Sequence, residues 1–106
     1  MDEPIFAVAT TPTITLEFPD TIDLTEAAHL HFTIVQGAVH ILKSDDGITI
    51  VDAHTVDVYM PQEETVRFRA GTVSLQLDWT YADGQRAHSD IAKCEVADNL
   101  EKKVLE

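Results

Sequence analysis

Residues 54–85, HTVDVYMPQEETVRFRAGTVSLQLDWTYADGQ, hold two runs of strict period-two alternation, and no other pattern in the chain constrains its fold as tightly. In the first, Val56, Val58 and Met60 alternate with Thr55, Asp57 and Tyr59. In the second, Val73, Leu75, Leu77 and Trp79 alternate with Ser74, Gln76, Asp78 and Thr80. Successive side chains of a strand point to opposite faces, so each run predicts a half-buried strand with one apolar face. Pro61 stops the first run, because proline has no N–H to give to a ladder. Residues 62–67 read as a short helical or turn-like corner, after which Phe68 drops back into the core and Gly71 releases the chain into the second run. Asp83-Gly84 then gives a strong hairpin signal.

The same alternation recurs upstream. Residues 13–18 place Ile14, Leu16 and Phe18 on one face, and residues 29–35 bury Leu30, Phe32 and Ile34 while His29, His31 and Thr33 face outward. Between them, residues 24–27 form a polar link with room for one helical turn. Gln36-Gly37 can turn the chain into residues 38–43, and Ser44-Asp45-Asp46-Gly47 is a second turn, with Gly47 expected at positive φ. Residues 48–51 make a further short strand. After Asp83-Gly84 a two-residue turn sets Asp90 opposite the inward Leu77, whereas one more loop residue sets Ile91 there but brings Lys93 against Leu75. A bulge near Ile91 and Ala92 is therefore expected, letting Ile91, Cys94 and Val96 approach the core. About seven short strands at this spacing predict an all-β chain folded as a single antiparallel β-sandwich. The domain spans residues 13–97, preceded by a flexible arm over residues 1–12 and followed by a tail or short helical turn over residues 98–106.

Composition narrows the setting. A chain of 106 residues holds one domain. Its single cysteine, Cys94, excludes an internal disulfide and reads as a small core side chain. Nineteen acids against seven bases leave a net charge of −12, which repels a phosphate backbone and argues against nucleic-acid partners. The acids are scattered through strands and turns, as on a solvated outer face. No apolar run reaches the roughly 18 residues of a membrane helix, and the acidic start Met1-Asp2-Glu3 is unlike a secretory signal. A soluble chain without a signal peptide or a membrane partner is expected.

Chemistry is hard to find in the residues. His29 and His31 share an outward face, and a tight hairpin at Gln36-Gly37 sets His40 diagonally across from His31, but two histidines at i and i+2 do not make a zinc site. His88-Ser89-Asp90 names the members of a hydrolytic triad, yet neighbours on a strand face opposite ways and cannot form the relay. Asp45-Asp46-Gly47 with Asp52 lacks the spacing of a calcium loop and is ordinary turn chemistry. No cofactor, metal or catalytic residue is assigned, and the expected protein is not an enzyme. Trp79, Tyr81 and His88 remain as partner-binding candidates near one end of the sandwich, although Trp79 also suits the core.

The early ITLEF strand (residues 14–18), the strand over residues 30–36, the Gln62-Glu63-Glu64-Thr65 corner with Phe68 and Gly71, and Asp83-Gly84 with Ile91 carry a resemblance. Together they resemble small proteins encoded in phages and prophages of Gram-positive and gut bacteria, over most of residues 13–97. The resemblance implies an immunoglobulin-like sandwich from a tail or baseplate region, a non-enzymatic structural or accessory protein working through protein contacts with other virion proteins or itself. It places the chain in the bacterial host cytoplasm or the virion. The alternative function is a β-sandwich module that binds carbohydrate or another surface ligand through Trp79, Tyr81 and His88.

Overall fold

Each alternating run does become a strand, and parity decides which side chains meet. The computed structural model describes residues 4–105. Among them, nine strands form: β1 (Phe6–Ala7), β2 (Thr13–Glu17), β3 (His29–Gln36), β4 (Val39–Lys43), β5 (Ile48–Asp52), β6 (Thr55–Tyr59), β7 (Gly71–Thr80), β8 (Arg86–His88) and β9 (Ala92–Ala97). One short helix, α1 (Gln62–Thr65), makes the expected corner, and Phe68 is buried just beyond it. The larger sheet runs β1-β9-β7-β3-β4, with β8 also pairing β7, and the smaller runs β2-β6-β5.

The two sheets share one core. Phe32, Ile34, Leu77 and Trp79 of the larger sheet cluster with Ile14, Val56 and Val58 of the smaller. Leu24, fully buried in a turn of 3₁₀ helix over Leu24–Glu26, belongs to the same cluster. Burying a side chain of this size is worth roughly 1.5–3 kcal/mol, so this polar-looking link contributes to the core as a strand residue does.

Several expectations need correction. The larger sheet is mixed rather than antiparallel, because β1 runs parallel to β9, with Phe6 beside Val96 and Ala7 beside Ala97. The described part of the expected N-terminal arm is therefore folded: Phe6 and Val8 are buried, and Val8 N–H donates to Ala97 O at 3.0 Å. Residues 1–3 and residue 106 lie outside the described residues. The C-terminal segment forms no helical turn among its described residues. It is held by polar contacts, Asn99 Nδ2 donating to Val8 O and Gln62 exchanging two hydrogen bonds with the Leu105 backbone, while Leu100 is fully exposed.

Gly47 does not take a positive φ. A Cβ there would stand 2.9 Å from Lys43 Cε, so the end of that flexible side chain would have to shift. The positive φ falls instead on Gly37, at +55°, in the two-residue turn that joins β3 to β4 within one sheet and pairs Gln36 with Val39. Changing Gly37 to alanine, where there is room but an unfavourable backbone, is expected to cost about 1 kcal/mol by urea titration.

The late hairpin turns through three residues, with Tyr81 N–H bonded to Gln85 O. Between the pairs Asp78–His88 and Leu75–Ala92, three steps on β7 are opposed by four on the partner, so one extra residue is inserted. Ser89 closes the gap: its N–H donates to Leu77 O, and its Oγ accepts from Leu77 N–H. The irregularity falls in the expected neighbourhood, but its effect on Ile91 is the reverse of that expected. Ile91 is 63% exposed, while Val96 is buried and Cys94 packs at the core margin.

Candidate functional site

Trp79, Tyr81 and His88 do not form one surface. Trp79 lies on the inward face of β7, 3% exposed, with its ring edge-on to Phe18 at 6.3 Å and its indole N–H donating to Tyr81 Oη at 3.0 Å. Tyr81 is half-buried beside it. His88 stands opposite Asp78, one residue out of phase with Trp79, and so points to the outer face of the sheet. Parity alone separates the histidine from the two aromatic residues.

The histidine and triad motifs resolve into local hydrogen bonding. His40 pairs with Val35, four residues along β3 from His31, a separation of about 13 Å at the usual rise of a strand. The expected diagonal contact between His31 and His40 is therefore not made. Ser89 Oγ donates to the Asp90 carbonyl, and His88 Nδ1 lies 2.9 Å from Ser89 O, so neither is directed at the other as base and nucleophile. Among the described residues no three His, Cys, Asp or Glu side chains come together as a metal site.

Asp45 has a structural task. Its Oδ1 accepts from Leu30 N–H at 2.6 Å and its Oδ2 lies 2.7 Å from His29 Nδ1, tying the β4–β5 link to the start of β3. The Leu30 amide, then His29, hold its carboxyl below the ordinary value of 3.8. A carboxyl depressed by folding contributes fully above that ordinary value, and its contribution disappears as pH falls through the lower folded value. Asp45→Asn is expected to lower stability near neutrality and to flatten the loss of stability below about pH 4, read by urea titrations across the acid range.

A broad concavity lies on the outer face of the six-stranded sheet. It is a trough of about 520 Å³ bordered by His31, Thr33, Leu42, Gln76, Asp78 and Ile91. Cross-strand pairing arranges it in rows, with Leu42, Thr33 and Gln76 side by side across β4, β3 and β7. Asp78, 9% exposed, is the buried acid of its wall, held by the Nε and terminal nitrogen of Arg86. This surface offers hydrogen-bonding and apolar contacts together, a mixture suited to a polypeptide or a polar ligand. The pairing of Asp78 with Arg86 was unread in the sequence, although a turn centred on Asp83-Gly84 folds the two onto adjacent strands.

Beside the trough the two sheets end in strands joined by one short link: β4 is the edge of the larger sheet and β5 an edge of the smaller. Leu42 on β4 and Ile50 and Val51 on β5 are exposed. In the run Ile48–Val51 the alternation of Ile48, Thr49 and Ile50 breaks at Val51, an apolar residue on the face of Thr49, and that break was the available sign of an unusual strand. No family model, curated protein or solved structure matches this chain.

Proposed function

We propose that this chain is a non-catalytic contact protein with an immunoglobulin-like sandwich, a component or accessory of a phage tail or baseplate that binds other proteins. The observation that carries the contact reading is the pair of edge strands, β4 and β5, on consecutive segments with exposed Leu42, Ile50 and Val51 alongside. Edge strands present unpaired backbone groups, and adding a strand to them is a common mode of protein recognition.

Strand order supports the immunoglobulin-like part. The order β9-β7-β3-β4 in one sheet and β2-β6-β5 in the other distributes consecutive strands between two layers as that fold does. The phage setting, in host cytoplasm or virion, is supported by the sequence resemblance alone. A carbohydrate-binding role built on Trp79 loses its stacking platform, because that ring is buried.

Particles induced from the source cell and purified on a density gradient are expected to contain the chain in fixed ratio to other virion proteins by quantitative mass spectrometry. A Leu42→Glu, Val51→Lys variant is expected to be depleted from them. Absence of the unaltered chain from clean particles overturns the phage assignment.

A further inference from the structure

We infer that the open edge of β5 docks an extended, basic segment of another polypeptide as an added strand. This rests on the contact reading above and names the partner's chemistry. The ladder shows which backbone groups are on offer. Phe18 N–H donates to His54 O and Met60 N–H to Pro12 O, so even-numbered residues of β6 turn their backbone toward β2 and odd-numbered ones toward β5. Asp57 therefore exchanges bonds with its partner Thr49, and by alternation the N–H and C=O of Ile50 point away from the sheet. Ile48 N–H is taken by Asp45 O, which leaves its carbonyl on the open side. The pairing is regular from Ile48 to Ile50 and shifts only between Ile50 and Asp52. At the far end Leu24 N–H donates to Ala53 O, so the crossing loop caps the strand beyond Asp52 while Ile50 and Val51 stay 41% and 55% exposed.

Charge selects the occupant. Three aspartates, Asp45, Asp46 and Asp52, stand at the two ends of β5, while Asp57 on β6 is turned to Thr15 of β2, and from residue 39 to residue 60 there is a single lysine. That lysine, Lys43, is mostly buried and paired with Glu64 at 2.8 Å, so it does not offset the aspartates along the edge. Asp45 and Asp52 are held below the ordinary carboxylate value by backbone amides, of Leu30 and His54 respectively, and so remain ionised well into acid. A second copy laid along β5 brings these aspartates against their own kind, which disfavours self-pairing. A strand that alternates apolar residues with lysine or arginine meets the backbone of Ile50, the side chains of Ile50 and Val51, and the aspartates at both ends.

The test uses the full chain, isotopically labelled, and a capped nine-residue peptide alternating valine with lysine. A control peptide with the same order of side chains carries N-methyl groups on its central valines, which keeps the charge but removes the N–H groups needed for pairing. Binding of the first peptide is expected to shift the amides of residues 48–52, to exceed binding of the control about tenfold, and to weaken as salt rises from about 0.1 to about 1 M and the screening length falls from about 10 to about 3 Å. Ile50→Pro removes the outward N–H without touching the β6 ladder and is expected to abolish the preference over the control. Should that variant fail to fold by circular dichroism, Asp46→Lys with Thr49→Lys, two exposed positions, provides the same reading through charge and is expected to weaken binding about tenfold. Equal binding of both peptides, no binding, or dimerisation of the protein alone through residues 48–52 each overturns the proposal. Shifts confined to residues 39–43 also overturn it while leaving the contact reading standing on β4, whereas absence from particles removes the phage assignment whatever the peptide does.

Discussion

Truncating Phe32 to alanine is expected to remove about 3–5 kcal/mol of stability. Phe32 is fully buried in β3, the strand flanked by β4 and β7, with Lys43 on one side and Leu77 on the other. Its ring fills space between the sheets that neighbouring strands cannot close, so the loss combines the transfer of a large apolar group with the cost of a cavity. Domains of this size are stable by about 5–15 kcal/mol in all, so the variant is expected near the margin of folding. Urea titration followed by fluorescence reads this directly, because Trp79 is buried in the same core. Thr33→Ala, one residue away on the outer face, is expected to change stability by no more than about 0.5 kcal/mol. Equal effects at the two positions would contradict the assignment of faces.

That contrast marks what the sequence could reveal. Alternation is local, so it identified the inward residues of β2, β3, β6 and β7, including Trp79, without knowing which strands pair. The histidines show the limit. Whether His40 meets His31 depends on where β4 sits along β3, and Gly37 at the turn sets that register so that His40 meets Val35. The bulge was legible because neither regular register kept charged residues away from Leu75 and Leu77. Its consequence for Ile91 was not, since the extra residue comes before position 91 and reverses its face.

The candidate surface was less legible than the core for a physical reason. A trough is made by the curvature of a sheet, and an edge by the absence of a neighbour, and neither leaves a residue pattern of its own. The Ile48–Val51 run alternates only as far as Ile50, and its inward face is covered only in part: Ile48 is buried, but Ile50, paired with the buried Val56, is 41% exposed, and the out-of-phase Val51 is 55% exposed. The aspartates that read as turn residues and solvated surface also border this edge. They protect it from its own copies and leave it attractive to a basic strand.

Phe6→Ala is expected to cost about 3–5 kcal/mol, and this result separates a folded N-terminal segment from a mobile arm. An arm residue would change stability by no more than about 0.5 kcal/mol. Phe6 is 6% exposed and meets Phe68 edge-on, with ring centres 5.6 Å apart. The segment around it is fastened along its length: Ile5 N–H donates to Glu95 O at 2.7 Å, and the buried Thr65 hydroxyl at the end of α1 donates to Thr10 O at 2.5 Å. A strand of two residues is too short for alternation to announce, and its partner β9 lies about ninety positions away, so only the folded chain brings them together. Phe6→Leu, which keeps most of the apolar volume, is expected to recover more than half of the loss. If both variants unfold at the same urea concentration as the unaltered protein, Phe6 is not part of the core and β1 does not close the larger sheet.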